Sequence, residues 1–229
     1  MATTALFVRV PAVSPEIEAG WSAWYDASHI DYRMHMPGFI VARRYVMQSG
    51  RHRVLALYEM NGPEAMTTPE YLALRRWEGE RPAGAYERIA PNLPGFERGL
   101  YEELVAARQS PTAYDAPFIY VVGHHPQPEE EAAFEDWQSS TAADAAGRIA
   151  GAAAVRRFRQ LPESLAPNSG TRTPHPLYFT VIYLDSDAVA AMPAFAELLT
   201  SGQKKARAPA SVMLGRRVHT ATAHKATPA

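Results

Sequence analysis

Cysteine is missing from all 229 residues. Its absence rules out disulfides, thiolate metal sites and a cysteine nucleophile together, and it fits a reducing compartment, so a cytoplasmic location is expected. No apolar run approaches membrane-spanning length, and Arg9 sits where a signal peptide would need its apolar centre. Basic excess is lacking too. The chain has 23 Lys and Arg against 24 Asp and Glu and no Lys/Arg stripe, which argues against nucleic acid and gives no sign of a membrane partner. A glycine-rich phosphate loop is absent, so no nucleotide cofactor is expected. The eight histidines form no metal motif. His124-His125 would diverge on a strand, and His175 and His219 stand alone, so no metal site is assigned.

What the chain does have is a helix-length stretch crowded with aromatic and polar tips, Trp21-Ser22-Ala23-Trp24-Tyr25-Asp26-Ala27-Ser28-His29-Ile30-Asp31-Tyr32-Arg33-Met34-His35-Met36. Ser14-Pro15 supplies an N-cap and a first-turn proline, and Pro37-Gly38 ends the helix. At about 100° per residue, Ile17, Trp21, Trp24, Ser28, Tyr32 and His35 share one stripe, with Tyr25 and His29 on its flank. A helix that only seals a core would use Leu, Ile and Val there. This one is the expected wall of a pocket.

Alternating apolar residues mark strands at Ala5–Val10, Phe39–Met47, Val54–Met60 and Phe96–Leu104. A shorter helix opens at Pro69, and Gly84 to Pro94 reads as a proline-rich connection. The order is β-α-β-β-α-β, a ferredoxin-like unit. The second half repeats it. Setting Trp24 over Trp137 matches Gly38 with Gly151 and Ala42-Arg43-Arg44-Tyr45 with Val155-Arg156-Arg157-Phe158 without a gap. Leu6-Phe7-Val8 falls on Ile119-Tyr120-Val121, Tyr58 on Tyr183, and Pro69-Glu70-Tyr71 on Pro193-Ala194-Phe195. Two units are expected, at 1–108 and 116–220. A linker lies near 110–116, an inserted loop runs from Leu161 to Pro176, and a frayed tail follows Thr220.

Two four-stranded antiparallel sheets, each with helices on one face, leave two open faces that can pair. The chain thereby resembles the dimeric α+β barrel superfamily, here as an intramolecular barrel of class α+β. Trp24-Tyr25-Asp26 with His29, Pro37-Gly38-Phe39 with Arg43-Arg44-Tyr45, and Arg98-Gly99-Leu100-Tyr101-Glu102 give the first half a resemblance to its EthD-like branch. The resemblance implies cyclisation, isomerisation, decarboxylation or cofactor-free oxygenation of small aromatic, lactone or polyketide-like molecules. It also implies haem binding as an alternative, since some relatives hold haem through a histidine, and a homodimer of fused barrels as a further assembly.

In the repeat, Tyr25, Asp26, His29, Tyr32 and His35 fall on Gln138, Ser139, Ala142, Ala145 and Arg148, so the framework does not require them. The pocket is therefore placed in the first half. His29 is the expected general acid or base. Tyr25 and Tyr32 would donate to a developing oxyanion, and Asp26 would orient His29. Trp21 and Trp24 would hold an aromatic substrate, with His35, Arg43, Arg44 and Tyr58 as further binding residues. Arg43 and Arg44 must face opposite sides of their strand. One of them would grip a substrate carboxylate, unless an internal acid such as Glu59 claims it. The expected activity is that of a cofactor-independent lyase, of decarboxylase or cyclase type, on a phenolic or keto acid. The alternatives are a haem-binding or cofactor-free monooxygenase-type oxidoreductase, and a non-catalytic stress-response binding module.

Overall fold

A computed structural model describes residues 3–104, 111–139, 149–162, 176–193 and 211–224. The alanine run 142–147, Arg148, most of the inserted loop, the second-half helix expected at Ala194-Phe195 and the end of the tail lie outside the described residues. The chain folds as an α+β protein whose eight strands close into one antiparallel barrel. These are β1 (Thr4–Val10), β2 (Phe39–Met47), β3 (Val54–Met60), β4 (Glu97–Leu104), β5 (Phe118–His124), β6 (Ala152–Gln160), β7 (Tyr178–Leu184) and β8 (Ser211–Thr222). The first four are ordered 2-3-1-4 and the last four 6-7-5-8, and pairs β2/β8 and β4/β6 close the ring. The α-helices among the described residues are α1 (Pro15–Trp24), α2 (Ile30–Met34), α3 (Pro69–Glu80), α4 (Tyr86–Asn92) and α5 (Glu131–Trp137). No helix among the described residues is long and apolar enough to cross a membrane.

A strand with one face inside the barrel and the other under helices is buried on both sides, as all seven residues of β1 are. Its period of two sends Ala5 and Phe7 inward and Leu6, Val8 and Val10 outward. Phe7 meets Tyr101, Phe158 and Phe179 at ring separations of 4.7–5.1 Å, filling the barrel's middle. Arg43 also points inward. Its Nη1 lies 2.5 Å from Glu59 Oε1, which Arg156 approaches to 2.7 Å, while Glu103 holds the other side of Arg156. The duplicated arginine thus serves the barrel interior from both halves.

Two readings of the repeat are corrected by register. Gly38 and Gly151 match, with φ of +85° and +86°, and both second strands carry the same irregularity one residue later. In the third strands, however, Ala42 pairs with Tyr58 whereas Val155 pairs with Ile182. Tyr58 therefore corresponds to Ile182, and Tyr183 takes the inward place of Glu59. The first strands slip likewise, and Leu6 corresponds to Tyr120. A slip of one residue exchanges the faces of a strand, and identity between tyrosines disguised it. The proline-rich connection after Gly84 also contains α4, where Pro91 falls near the end of two turns.

Glu59 is the common acceptor for two buried guanidinium groups. Glu59→Gln should cost about 3 kcal/mol of stability by leaving buried charge unbalanced, measured by urea denaturation with the barrel otherwise intact.

Candidate functional site

The first helix is not one continuous α-helix. Between α1 and α2, residues Tyr25–His29 form a π turn in which the Ile30 amide donates to the Tyr25 carbonyl, a step of five residues. One extra residue in the turn resets the phase of all that follows. The inward series becomes Trp21, Tyr25, His29 and Arg33, each four residues on. Arg44 holds the turn from beneath. Its guanidinium donates to Asp26 Oδ2 at 2.7 Å and to Ser22 Oγ at 2.6 Å, and it lies 5.3 Å from the centre of the Tyr25 ring.

This series faces a partly open cavity of about 70 Å³ between the helices and the outer face of the first-half strands. Leu6, Val8 and Tyr58 form part of its floor, Trp21, Trp24, Tyr25, His29 and Arg33 one wall, and Tyr71, Arg75, Tyr86, Phe96 and Arg98 close the rest. His29 sits between Trp24 and Tyr25, with ring separations of 5.1 and 4.4 Å. Its Nδ1 has no hydrogen-bond partner and lies 3.5 Å from Glu78 Oε1 of α3. Glu78 is bound by Arg33 at 2.7 and 2.9 Å and by Arg75 at 3.1 Å. Burial holds the His29 imidazole well below its usual value, and the nearby charges of Arg33, Arg75, Arg98 and Arg44 push the same way. It is therefore a neutral base at pH 7. Tyr58 donates to the Tyr25 hydroxyl at 3.2 Å, and burial raises both phenols, so both keep their protons.

Trp21, Trp24, Tyr25, His29 and Tyr58 are thus brought together at the cavity. Five other expected residues are not. Tyr32 packs edge-on against Trp77 with rings 5.7 Å apart, away from the cavity, because the π turn rotates it off the stripe. His35 is rotated away in the same manner. It lies at the surface stacked on His224, and with Asp31 these three place ligand atoms within 4.8 Å of one another. Asp26 is engaged by Arg44 and does not orient His29; Glu78 occupies that position. Arg43 is inside the barrel and Arg44 lies under the helix, and neither lines the cavity. His124 is buried beside Phe134 and Trp137, and burial pushes it down to about 4.

Sequence reasoning missed Arg33, Tyr71, Arg75, Glu78 and Arg98. Arg33 was available as the next member of the four-residue series beginning at Trp21. Arg98 was available from the alternation of β4, where Leu100 also faces outward. Glu78 and Tyr71 come from a helix whose docking no local pattern reveals.

No family model matches the sequence, and no curated protein matches it. Solved structures do match in fold. An anthrone oxidase-like protein aligns with a TM-score of 0.61 at 13% identity, over 100% of this chain and 96% of its own. A protein provisionally named a monooxygenase, from Fusobacterium nucleatum, aligns at 0.60 and 8% identity over 96% and 94%. A mutant chlorite dismutase from Candidatus Nitrospira defluvii aligns at 0.53 and 10% over 94% and 91%. With the closed barrel, these likenesses establish the dimeric α+β barrel fold.

His29 and His124 both titrate below the ordinary 6.5. As pH falls through that value the unfolded chain takes up protons that the folded chain refuses, so stability declines with falling pH. Urea midpoints should drop steadily from pH 7.5 to 5. NMR of the imidazole carbons should show His29 still neutral where an ordinary histidine has already taken up its proton.

Proposed function

We propose that the chain is a cofactor-independent enzyme of the oxygenase type, acting on a small phenolic or enolisable aromatic molecule at the first-half cavity. The observation carrying this reading is His29, whose ring lies between Trp24 and Tyr25 at the cavity with its Nδ1 3.5 Å from the Glu78 carboxylate. His29 takes a proton from an acidic C–H, and Glu78 stabilises the imidazolium so formed. Tyr58 donates to Tyr25, which leaves the Tyr25 O–H free to donate to the oxygen on which charge develops. The resulting carbanion passes an electron to dioxygen and the radical pair combines to a peroxide. Protonation by His29 and loss of water convert CH2 and O2 to C=O and H2O.

The same enolate would serve a decarboxylase or cyclase, the main expectation from sequence. The names borne by proteins of like fold, monooxygenase and anthrone oxidase-like among them, support oxygenation instead. The EthD-like resemblance belongs to this proposal through Trp24, Tyr25 and His29. Haem does not fit this site. A cavity of about 70 Å³ is far below the several hundred that even drug-sized ligands occupy. An apolar cavity of about 150 Å³ holds a benzene ring, so an aromatic substrate requires this partly open cavity to widen on binding.

An oxygen electrode with a panel of phenols and enolisable aryl ketones tests the reading. Oxygen uptake is expected, and His29→Ala should lower it by about 10²–10⁴-fold, while Tyr32→Phe should leave it near wild type. Carbon dioxide release without oxygen uptake would restore the lyase, and uptake unaffected by His29→Ala would remove His29 from the mechanism.

A further inference from the structure

Among the arginines of the cavity, Arg98 stands apart. It projects from β4 opposite Val8 and donates to the Tyr71 hydroxyl and, at 4.0 Å, to the Met66 sulfur. Neither carries charge. Glu78 is already shared by Arg33 and Arg75. Counting that carboxylate and Glu87 at the lining, three guanidinium groups face two acids, an excess of one positive charge (3 − 2). Burying a cation without a counterion costs free energy unless an anion arrives to balance it.

The barrel does not need this arginine. Register places Val122 where Val8 stands, and Val122 pairs with Val212, so the second half closes the same strand pair with an apolar residue. Tyr71 accepts from Arg98 and thereby keeps its own O–H to give. Beside these donors lie Leu6, Val8, Trp21 and Phe96, an apolar surface suited to a hydrocarbon remainder.

We propose that Arg98 and Tyr71 form the seat of a carboxylate, so that the cavity takes a small organic monoanion with an apolar body. This deepens the reading of the cavity as an active site and rests on it. A planar two-oxygen anion matches the guanidinium fork, which distinguishes a carboxylate from a halide or a neutral carbonyl. The carboxylate expected from sequence at Arg43 or Arg44 is thereby moved to the opposite wall from the helix. Burial, followed by Arg75 and Arg33, lowers the Arg98 pKa, in keeping with a cation awaiting a partner.

Benzoate and its neutral isostere benzamide are the probes, read by fluorescence of Trp21 and Trp24. Benzoate should bind about tenfold or more tightly than benzamide. Arg98→Met should weaken benzoate by about 10–100-fold, the effect of a charge-assisted hydrogen bond, and leave benzamide unchanged. Tyr71→Phe, which keeps the ring packed on Phe39, should weaken benzoate several-fold. The thermal midpoint of Arg98→Met should equal or exceed that of wild type. Equal binding of the two probes, preference for inorganic phosphate, no benzoate binding, or a lowered midpoint in Arg98→Met would each overturn the seat. Benzoate binding is read without oxygen uptake, so failure of the oxygenase reading and failure of the carboxylate seat give different results.

Discussion

The hydrogen bond from the Ile30 amide to the Tyr25 carbonyl spans one residue more than an α-helical bond, and the cavity depends on it. With a regular helix, Ser28 and Tyr32 would continue the line begun by Trp21 and Trp24. With the wider turn, His29 and Arg33 take those places, and the His29 ring comes to lie against Glu78. Wide turns are locally unfavourable and persist where tertiary contacts hold them. Here Arg44 supplies the contact, binding Asp26 within the turn and Ser22 before it while covering the Tyr25 ring.

Arginine does three different jobs within a short distance, and only partners separate them. Arg43 and Arg156 converge on Glu59 and neutralise the barrel interior. Arg44 fastens a helix. Arg33 fixes a carboxylate beside His29. The side chain is the same each time, so residue type alone says little about role. What decides is the strand face, set by parity, and the acid that parity brings opposite.

Parity was also what the sequence conveyed best. The bounds of β2 and β3 follow from alternation, and the opposite faces of Arg43 and Arg44 follow from adjacency. The barrel itself follows from two units with unpaired sheet faces. Legibility stopped where one residue more or less changes the answer. The extra residue of the π turn has no marker in Tyr25-Asp26-Ala27-Ser28-His29, so a uniform 100° projection turned Tyr32 and His35 toward the cavity. The one-residue slip between β3 and β7 was masked by Tyr58 and Tyr183. Contacts across elements, such as Glu78 with His29, were not written in any local pattern.

Both seams of the barrel, β2 with β8 and β4 with β6, join strands of the first four to strands of the last four within one covalent chain. Closure is therefore a first-order event whose equilibrium does not change on dilution, unlike a barrel assembled from two molecules. A two-molecule barrel also repeats every substitution twice, so each change must suit both copies at once. Here each half varies separately. One half can carry Glu59 where the other carries Tyr183, and Arg98 where the other carries Val212, with no second copy to accommodate.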